Sequence, residues 1–325
     1  MVHRTGLRVT WWSGVNQHAA CSEDVGTIGQ RLEYRHVDVF ANAPFTGNGL
    51  IVVFCDTLES PAEQFRQITE EMRQFETIFV TPGRERGTVT ARIFTVEEEL
   101  PFAGHPVLGA AAAVHERTAS DIAQVEWSFL IQSRSLRVVS ERSGSYFSAT
   151  MDQGQADVSA PLPPSVQDEA ASALSLEARD LADLPLRVVS TGLPYLIVPV
   201  TSDGLARARI ATADFEPWLD RFGARFVYVL DPARREGRTW DNLGKVEDVA
   251  TGSAAGPAAA YLFEHQVANS AEPLRLQQGR FVGRPSSITV TRASGGNLWV
   301  GGPVQPVASG ALDGFPSAVD QATGD

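Results

Sequence analysis

The sequence has few of the features that identify several large classes of protein. Its 325 residues include two cysteines, Cys21 and Cys55, so we expect neither a disulfide framework nor a cysteine-rich metal site. No apolar stretch approaches the roughly 18–20 residues of a membrane-spanning helix, and we expect no membrane partner. Basic residues are also few. The 27 Lys and Arg against 39 Asp and Glu give a net charge of −12, which argues against a nucleic-acid partner.

The composition is otherwise that of a folded globular protein, with 43% hydrophobic residues. Residues 1–32 contain no apolar core of the kind that a secretion signal requires, so we interpret them as a disordered extension of a cytoplasmic protein. The chain is long enough for two lobes. A stretch rich in Gln, Ser, Ala and Pro at 153–185 predicts the boundary between them. We place the N-terminal lobe at 33–160, the C-terminal lobe at 161–305 and a tail at 306–325.

Hydrophobic periodicity predicts similar elements in both lobes. Short alternating or apolar runs such as YRHVDVFA, TVTARIFT and RFVYVLD are typical of strands, and PAEQFRQITEEMRQF has helical spacing. Each lobe also has one helix composed mainly of small residues. Strand-rich lobes with one central helix each favour an α+β architecture over a parallel α/β sheet.

The two small-residue helices begin in nearly the same way. The first lies in EEELPFAGHPVLGAAAAVH and the second in EDVATGSAAGPAAAYL, and a Glu precedes the helix glycine by five residues in both. Such helices can be packed on every side, and the free N–H groups at their N-termini favour anions. Chance similarity between two Ala-rich helices is one interpretation. We favour a duplicated lobe, in which two helix N-termini face one shared cleft.

These stretches and several others resemble the phenazine-biosynthesis PhzF-like isomerase family, which has the diaminopimelate-epimerase fold. The matching segments are VDVFANAPFTGNGLIVVF, FETIFV, RIFTVEEELPFAGHPVLGAAAAV, TGLPYLIV, EDVATGSAAGPAAAYL and QQGRFVGRPSSITV. The resemblance implies two pseudo-symmetric lobes, each a β-barrel-like sheet wrapped around a central helix, with the active site between them. It also implies a homodimer and a reaction that uses neither a cofactor nor a metal.

The resemblance assigns roles to individual residues. It implies that Glu76, in the segment FETIFV, is the acid and base of the reaction, and that His105 and Asp248 act beside it. The backbone N–H groups of the two helix glycines would contact the substrate. The substrate-binding residues that follow from this are Gly104, Gly252, Ser253 and Asn48.

The position of Glu76 supports this role independently. It lies between Phe75 and an Ile-Phe pair, so burial is expected to raise its pKa. A carboxyl group tuned towards neutral pH can both take and return a proton. Each residue also has a structural interpretation. Glu76 is then an exposed strand residue, His105 and Ser253 cap or pack a helix, and Asp248 satisfies turn N–H groups.

The sequence departs at two places from the patterns of related proteins, and these departures limit which reaction and substrate we expect. Diaminopimelate epimerases have a Cys at each helix turn where this chain has His105 and Ser253, which excludes two-thiol racemisation. Phe75 stands where the family commonly has Ser. We expect an isomerase that moves a proton, with a double-bond shift, within a small cyclic or amino acid-derived carboxylic acid. Its pathway would belong to secondary metabolism, such as antibiotic or phenazine biosynthesis.

Two alternatives stay open at this point. One is an amino-acid epimerase or racemase of the same fold, which would need a second base opposite Glu76. The other is a ligand-binding protein that keeps the fold without turnover.

Overall fold

Sixteen strands form one continuous sheet in the computed structural model, which describes residues 30–315. The strands are β1 (Gln30–Val39), β2 (Asn48–Phe54), β3 (Thr77–Pro82), β4 (Thr88–Phe94), β5 (Glu99–Leu100), β6 (Gln124–Ile131), β7 (Arg134–Ser143), β8 (Tyr146–Asp152), β9 (Asp157–Val158), β10 (Arg187–Ser190), β11 (Pro194–Pro199), β12 (Phe226–Asp231), β13 (Glu236–Arg238), β14 (Leu274–Gln278), β15 (Ser286–Arg292) and β16 (Leu298–Phe315). The α-helices are α1 (Ala62–Met72), α2 (Gly104–Thr118), α3 (Ser165–Ala173), α4 (Ser202–Arg207), α5 (Phe215–Asp220) and α6 (Gly252–Glu264), and short 3₁₀ helices span Ala178–Asp180 and Arg280–Val282.

The N-terminal lobe is a closed barrel around α2. Its strands follow the order β1-β2-β3-β4-β6-β7-β8-β16, and β16 pairs back to β1. Every residue of α2 from Gly104 to His115 is buried. A helix enclosed by strands on all sides has room only for small side chains. A Cβ on Gly109 would lie 2.4 Å from the Leu50 side chain and 2.9 Å from that of Val39. The Ala- and Gly-rich sequence of α2 is therefore what the barrel interior requires.

The C-terminal lobe continues the same sheet around α6. From β16 the order runs β15-β14-β13-β12-β11-β10-β9, and α6 packs against strands along this path. Most residues of α6 from Gly252 to Leu262 are buried, as in α2. Pro257 lies inside α6, in its second turn. The expected pair of pseudo-symmetric lobes, each wrapped around a central helix, is confirmed.

The strand β16 belongs to both lobes. Its first residues pair with β15 and β8, and its later residues, from Val304 onward, pair with β1. The sequence predicts a tail at 306–325, whereas residues 306–315 form the second half of this strand. Small and polar residues with partial exposure hide the alternation there, so the pattern does not reveal a strand. The disorder predicted for residues 1–32 falls, up to residue 29, outside the described part of the chain, and it is wrong for residues 30–32, which belong to β1 and pair with β16.

Helix α1 positions the segment that leads into β3. Phe65, Ile68 and Met72 lie on the face that packs against Phe79 and neighbouring rings. The helical pattern predicts a helix through residue 75, but α1 ends at Met72.

The next residue explains the earlier end of α1. Arg73 adopts a left-handed conformation with φ +54° and donates its N–H to the Glu70 carbonyl at 3.2 Å. After this turn the chain passes through a bend at Phe75 to β3, and the Gln74 side chain lies near Gly49 of β2.

One ion pair occurs at the same place in both lobes. Arg92 donates to both carboxylate oxygens of Glu99 at 2.9 and 2.6 Å, and Arg238 donates to both oxygens of Glu247 at the same two distances. Each guanidinium also donates to two backbone carbonyls and lies over two aromatic rings. Since each Glu precedes a central helix by five residues, the two pairs anchor the segments that lead into α2 and α6.

Candidate active site

The N-termini of α2 and α6 meet where the two lobes join. A Cβ on Gly104 would lie 3.7 Å from the amide nitrogen of Ser253, and one on Gly252 would lie 3.9 Å from that of His105. Neither helix has a side-chain cap on its first N–H groups. Two uncapped helix N-termini at one place form a site that favours a carboxylate or another anion. The duplicated motifs therefore bring the two helix N-termini together, as the sequence predicts; that they form a substrate cleft stays a prediction.

Glu76 is a buried carboxyl group at this junction. It directly precedes β3, and its exposed fraction is 8%. Its Oε2 atom is buried and has no hydrogen-bond partner within the described residues. Burial, with a smaller contribution from the charge of Asp248, raises the pKa of Glu76 to about 8. The side chain is therefore largely protonated at pH 7 and close to the point at which it can exchange a proton.

His105 lies beside this carboxyl group. Its Nδ1 atom is 3.5 Å from Oε2 of Glu76, and its exposed fraction is 7%. Burial lowers the pKa of His105 to about 3, so the imidazole is neutral at physiological pH. The Nε2 atom of His105 has no protein partner within residues 30–315. Buried polar atoms without partners are costly, and two of them side by side point to a ligand that satisfies them.

Asp248 reaches the site from the C-terminal lobe. One of its carboxylate oxygens accepts from Asn48 Nδ2 at 3.2 Å, and the other accepts from the Thr251 hydroxyl at 2.5 Å. Burial raises the pKa of Asp248, and hydrogen bonds from Thr251, from the backbone of residues 249 and 250, and from Asn48 oppose that rise. Asn48 also donates to the carbonyl of Ala250 at 3.1 Å. The Asn48 side chain thus joins the two lobes and orients Asp248. Its predicted contact with substrate stays a prediction.

Two residues of the site were not predicted from the sequence. The hydroxyl of Tyr195 lies 2.7 Å from Oγ of Ser253, and Gln153 donates its amide N–H to the carbonyl of Gly252 at 2.9 Å. Tyr195 lies in the TGLPYLIV segment, where a tyrosine within an apolar strand is more often a core residue. Gln153 follows β8 in a stretch with no recognisable motif.

The segment before Glu76 is partly exposed. Phe75 has an exposed fraction of 58%, and the Gln74 side chain lies against Gly49, where a Cβ would be 2.6 Å from its Oε1 atom. The position that commonly carries Ser in the resembling family therefore presents an aromatic ring to solvent.

The repeated ion pairs identify the residue of the C-terminal lobe that corresponds to Glu76 by the internal symmetry. Arg92 is paired across the sheet with Phe79 of β3, and Arg238 with Val229 of β12. Three residues before these partners come Glu76 in the first lobe and Phe226 in the second. The symmetry-related position thus carries a phenyl ring, which stacks on Tyr195 with a centroid distance of 5.4 Å. It supplies no second base.

Within residues 30–315, no group of three or more His, Cys, Asp or Glu side chains is arranged to hold a metal ion. Over the same residues, no helix is long and apolar enough to cross a membrane. What the site does contain is a protonated carboxyl group, a neutral imidazole and an oriented aspartate in front of two helix N-termini. This set is suited to binding a small acid and moving one of its protons.

Comparisons with known proteins found relatives over most of the chain. A family model described as phenazine biosynthesis-like protein (PhzC-PhzF) matches residues 37–297. A trans-2,3-dihydro-3-hydroxyanthranilate isomerase from Pseudomonas fluorescens is 34% identical over 263 residues, which is 78% of this chain and 87% of the relative.

Solved structures of other proteins share the fold of this chain. A predicted epimerase from Pseudomonas aeruginosa is 51% identical, with a TM-score of 0.80 over 86% of this chain and 98% of the other. A hydroxyproline epimerase from Agrobacterium vitis, solved with trans-4-hydroxy-L-proline, shares the fold at 11% identity, with a TM-score of 0.55 over 89% and 94%.

Proposed function

We propose that this chain, which belongs to the phenazine biosynthesis-like (PhzC-PhzF) family of isomerases, moves a proton within a small carboxylic acid and needs no cofactor. The substrate would be cyclic or derived from an amino acid, and the reaction would shift a double bond. One observation carries the proposal. Glu76 is a buried carboxyl group of raised pKa, it faces a neutral His105 at 3.5 Å, and both lie where two helix N-termini meet.

Glu76 would act as the acid and the base in turn. In its ionised form it removes a proton from one carbon of the substrate, and the electron pair of that C–H bond enters the adjacent π system. The protonated carboxyl group then delivers the proton to a second carbon, where a new C–H bond forms. A pKa of about 8 suits both half-reactions near neutral pH.

The other residues would bind the substrate and stabilise the charge that develops. The N–H groups at the starts of α2 and α6 favour the substrate carboxylate and the negative charge that builds up during proton removal. His105 stays neutral, so it offers hydrogen bonds without competing for the proton. Asp248, held by Asn48 and Thr251, is placed to accept a hydrogen bond from an amino or hydroxyl group of the substrate.

An amino-acid epimerase is the second candidate, and the name of the solved Pseudomonas aeruginosa relative favours it. Inversion of a stereocentre with two bases requires a second proton carrier on the opposite face. The position related to Glu76 by the internal symmetry is occupied by Phe226, which has no titratable group. The carboxylate of Asp248 is already engaged by Asn48 and Thr251, so we favour the proton shift with one base.

An isotope experiment separates the two candidates. The protein is incubated in D₂O with trans-2,3-dihydro-3-hydroxyanthranilate and, separately, with a panel of amino acids that includes trans-4-hydroxy-L-proline. A shuttle by the shielded Glu76 gives an isomerised product that retains part of the original hydrogen. An epimerase would instead introduce deuterium at the stereocentre of recovered substrate. Deuterium at that stereocentre, with no double-bond shift, would refute the proposal.

We further propose that the protein acts as a cytoplasmic homodimer in secondary metabolism, such as antibiotic or phenazine biosynthesis. The family description and the activity named for the Pseudomonas relatives support the pathway. The dimer is what the resemblance in sequence implies. Light scattering of the purified protein tests the dimer, and a mass near the 35.0 kDa of one chain would refute it. Metabolite profiling of a deletion strain tests the pathway.

A further inference from the structure

A buried tyrosine contacts the site through one serine. The hydroxyl oxygens of Tyr195 and Ser253 lie 2.7 Å apart and share a hydrogen bond between β11 and the first turn of α6. Ser253 is the second residue of α6, and its amide nitrogen is the group that approaches Gly104 of the other central helix. The Ser253 hydroxyl therefore lies at the junction of the two helix N-termini.

Tyr195 is held rigidly by its surroundings. Its exposed fraction is 2%, and its ring stacks on Phe226, which is also its backbone neighbour across the parallel pair β11–β12. A side chain packed in this way cannot change its rotamer without opening the core. The hydroxyl hydrogen is then the one atom of the Tyr195 side chain that can reorient.

The chemistry of the two hydroxyl groups decides which one donates. A phenol is a stronger acid than an alkanol and is the better donor of the two. Burial raises the pKa of Tyr195, so its hydroxyl keeps its proton. When Tyr195 donates to Oγ of Ser253, the hydrogen of Ser253 is left to point elsewhere, and the Ser253 side chain is partly exposed.

We propose that Tyr195 is a positioning residue that directs the Ser253 O–H into the cleft, as a donor to the carboxylate of the substrate. The inference rests on the proposed function, because it concerns how the same site recognises its acid. The Ser253 hydroxyl would then be a third kind of hydrogen-bond donor to the substrate, beside the helix N–H groups and His105. The positioning role also explains why a tyrosine, and not a phenylalanine, occupies this buried strand position.

The test uses binding, so that it does not depend on turnover. The probe is 3-hydroxyanthranilate, the stable aromatic analogue of trans-2,3-dihydro-3-hydroxyanthranilate, and its affinity is measured by calorimetry. Tyr195→Phe removes one oxygen and keeps the ring stacked on Phe226. We expect roughly fivefold weaker binding for Tyr195→Phe and roughly tenfold for Ser253→Ala, since a hydrogen bond to a charged group is lost or misdirected. The double variant should equal Ser253→Ala within about twofold, because Tyr195 acts only through Ser253.

A matched control separates positioning from stability. The hydroxyl of Tyr261, also fully buried, donates to the carbonyl of Pro185 at 2.7 Å from the opposite end of α6. Tyr261→Phe removes a hydrogen bond of the same length and should lower the melting temperature about as much as Tyr195→Phe does. Its affinity for 3-hydroxyanthranilate should remain that of the wild type.

The possible results are distinct. If Ser253→Ala weakens binding and Tyr195→Phe does not, the positioning role is wrong while the proposed function stands. If the effects of the two substitutions multiply in the double variant, Tyr195 acts independently of Ser253 and the inference is also overturned. If the wild-type protein does not bind the probe at all, this inference is overturned, while the isotope experiment still decides the proposed function.

Discussion

Replacing Glu76 by Gln should make the protein more stable and inactive at the same time. The carboxyl group keeps its proton to about pH 8 in the folded protein, against an ordinary value of 4.5. Folding therefore favours the protonated form, and the unfolded chain releases its proton first as the pH rises. The contribution of Glu76 to stability is complete below pH 4.5, is lost progressively between pH 4.5 and 8, and is constant above that. Gln keeps the shape and the neutral state at every pH.

The size of this effect follows from the difference in pKa. Each pH unit between the two values corresponds to 1.36 kcal/mol. The difference in free energy of unfolding between Glu76→Gln and the wild type should grow as the pH rises. Compared with its value below pH 4.5, it should be larger by about 3 kcal/mol at pH 7 and by at most ~5 kcal/mol at pH 8. Such gains with loss of function are known for strained active-site groups. Activity should drop by ~10²–10⁴-fold, as for other positioned acid–base groups.

Urea denaturation of both proteins at several pH values from 5 to 9 measures the difference, since the contributions of titratable groups that do not interact with Glu76 cancel. Glu97→Gln, at an exposed carboxyl group, is the control for removing a charge and should stay within ~0.5 kcal/mol of the wild type at each pH. If the wild type and Glu76→Gln show the same pH dependence, Glu76 ionises as it does in the unfolded chain. An active Gln variant would remove Glu76 from the mechanism.

Three further predictions concern the same region. The kcat/KM of the wild type should rise about tenfold per pH unit below pH 8 and level off above it, because proton removal needs ionised Glu76; a flat pH–rate profile would contradict this. His105→Asn should lose activity by about 10²-fold with no new ionisation between pH 5 and 9, since the histidine it replaces is already neutral there; an inflection near pH 6.5 that is present in the wild type and absent from the variant would show otherwise. Phe75→Ser, at an exposed ring, should leave the melting temperature unchanged and lower the KM for trans-2,3-dihydro-3-hydroxyanthranilate; an unchanged KM would show that this position does not contact the substrate.

Local patterns were enough to predict the two central helices and the burial of Glu76. The small residues of α2 and α6 and the equal Glu-to-Gly spacing predict two buried helices with facing N-termini, because each feature lies within about 20 consecutive residues. The apolar neighbours of Glu76 in the same way predict a buried carboxyl group. The burial of these residues is set mainly by the strand or helix to which they belong. The local sequence is therefore enough to predict it.

Long-range contacts could not be predicted in this way. Tyr195 and Ser253 are separated by 58 residues, and Gln153 and Gly252 by 99, and nothing in the local pattern of either partner marks the other. The second half of β16 was missed for a related reason. Its partner is β1 at the other end of the described chain, and its small polar residues show no alternation.

The shared strand β16 also has a consequence for how the protein reaches its native state. Until the residues from Leu298 onward are in place, the barrel around α2 cannot close, and β15 is paired only with β14 and has no partner on its other side. Synthesis on the ribosome proceeds from the N-terminus. Among the described residues, β16 is therefore the last strand to emerge, and both lobes need it to complete their sheets. Neither half is then expected to fold during translation, and a truncation before residue 298 should give an aggregating chain and not a stable single lobe.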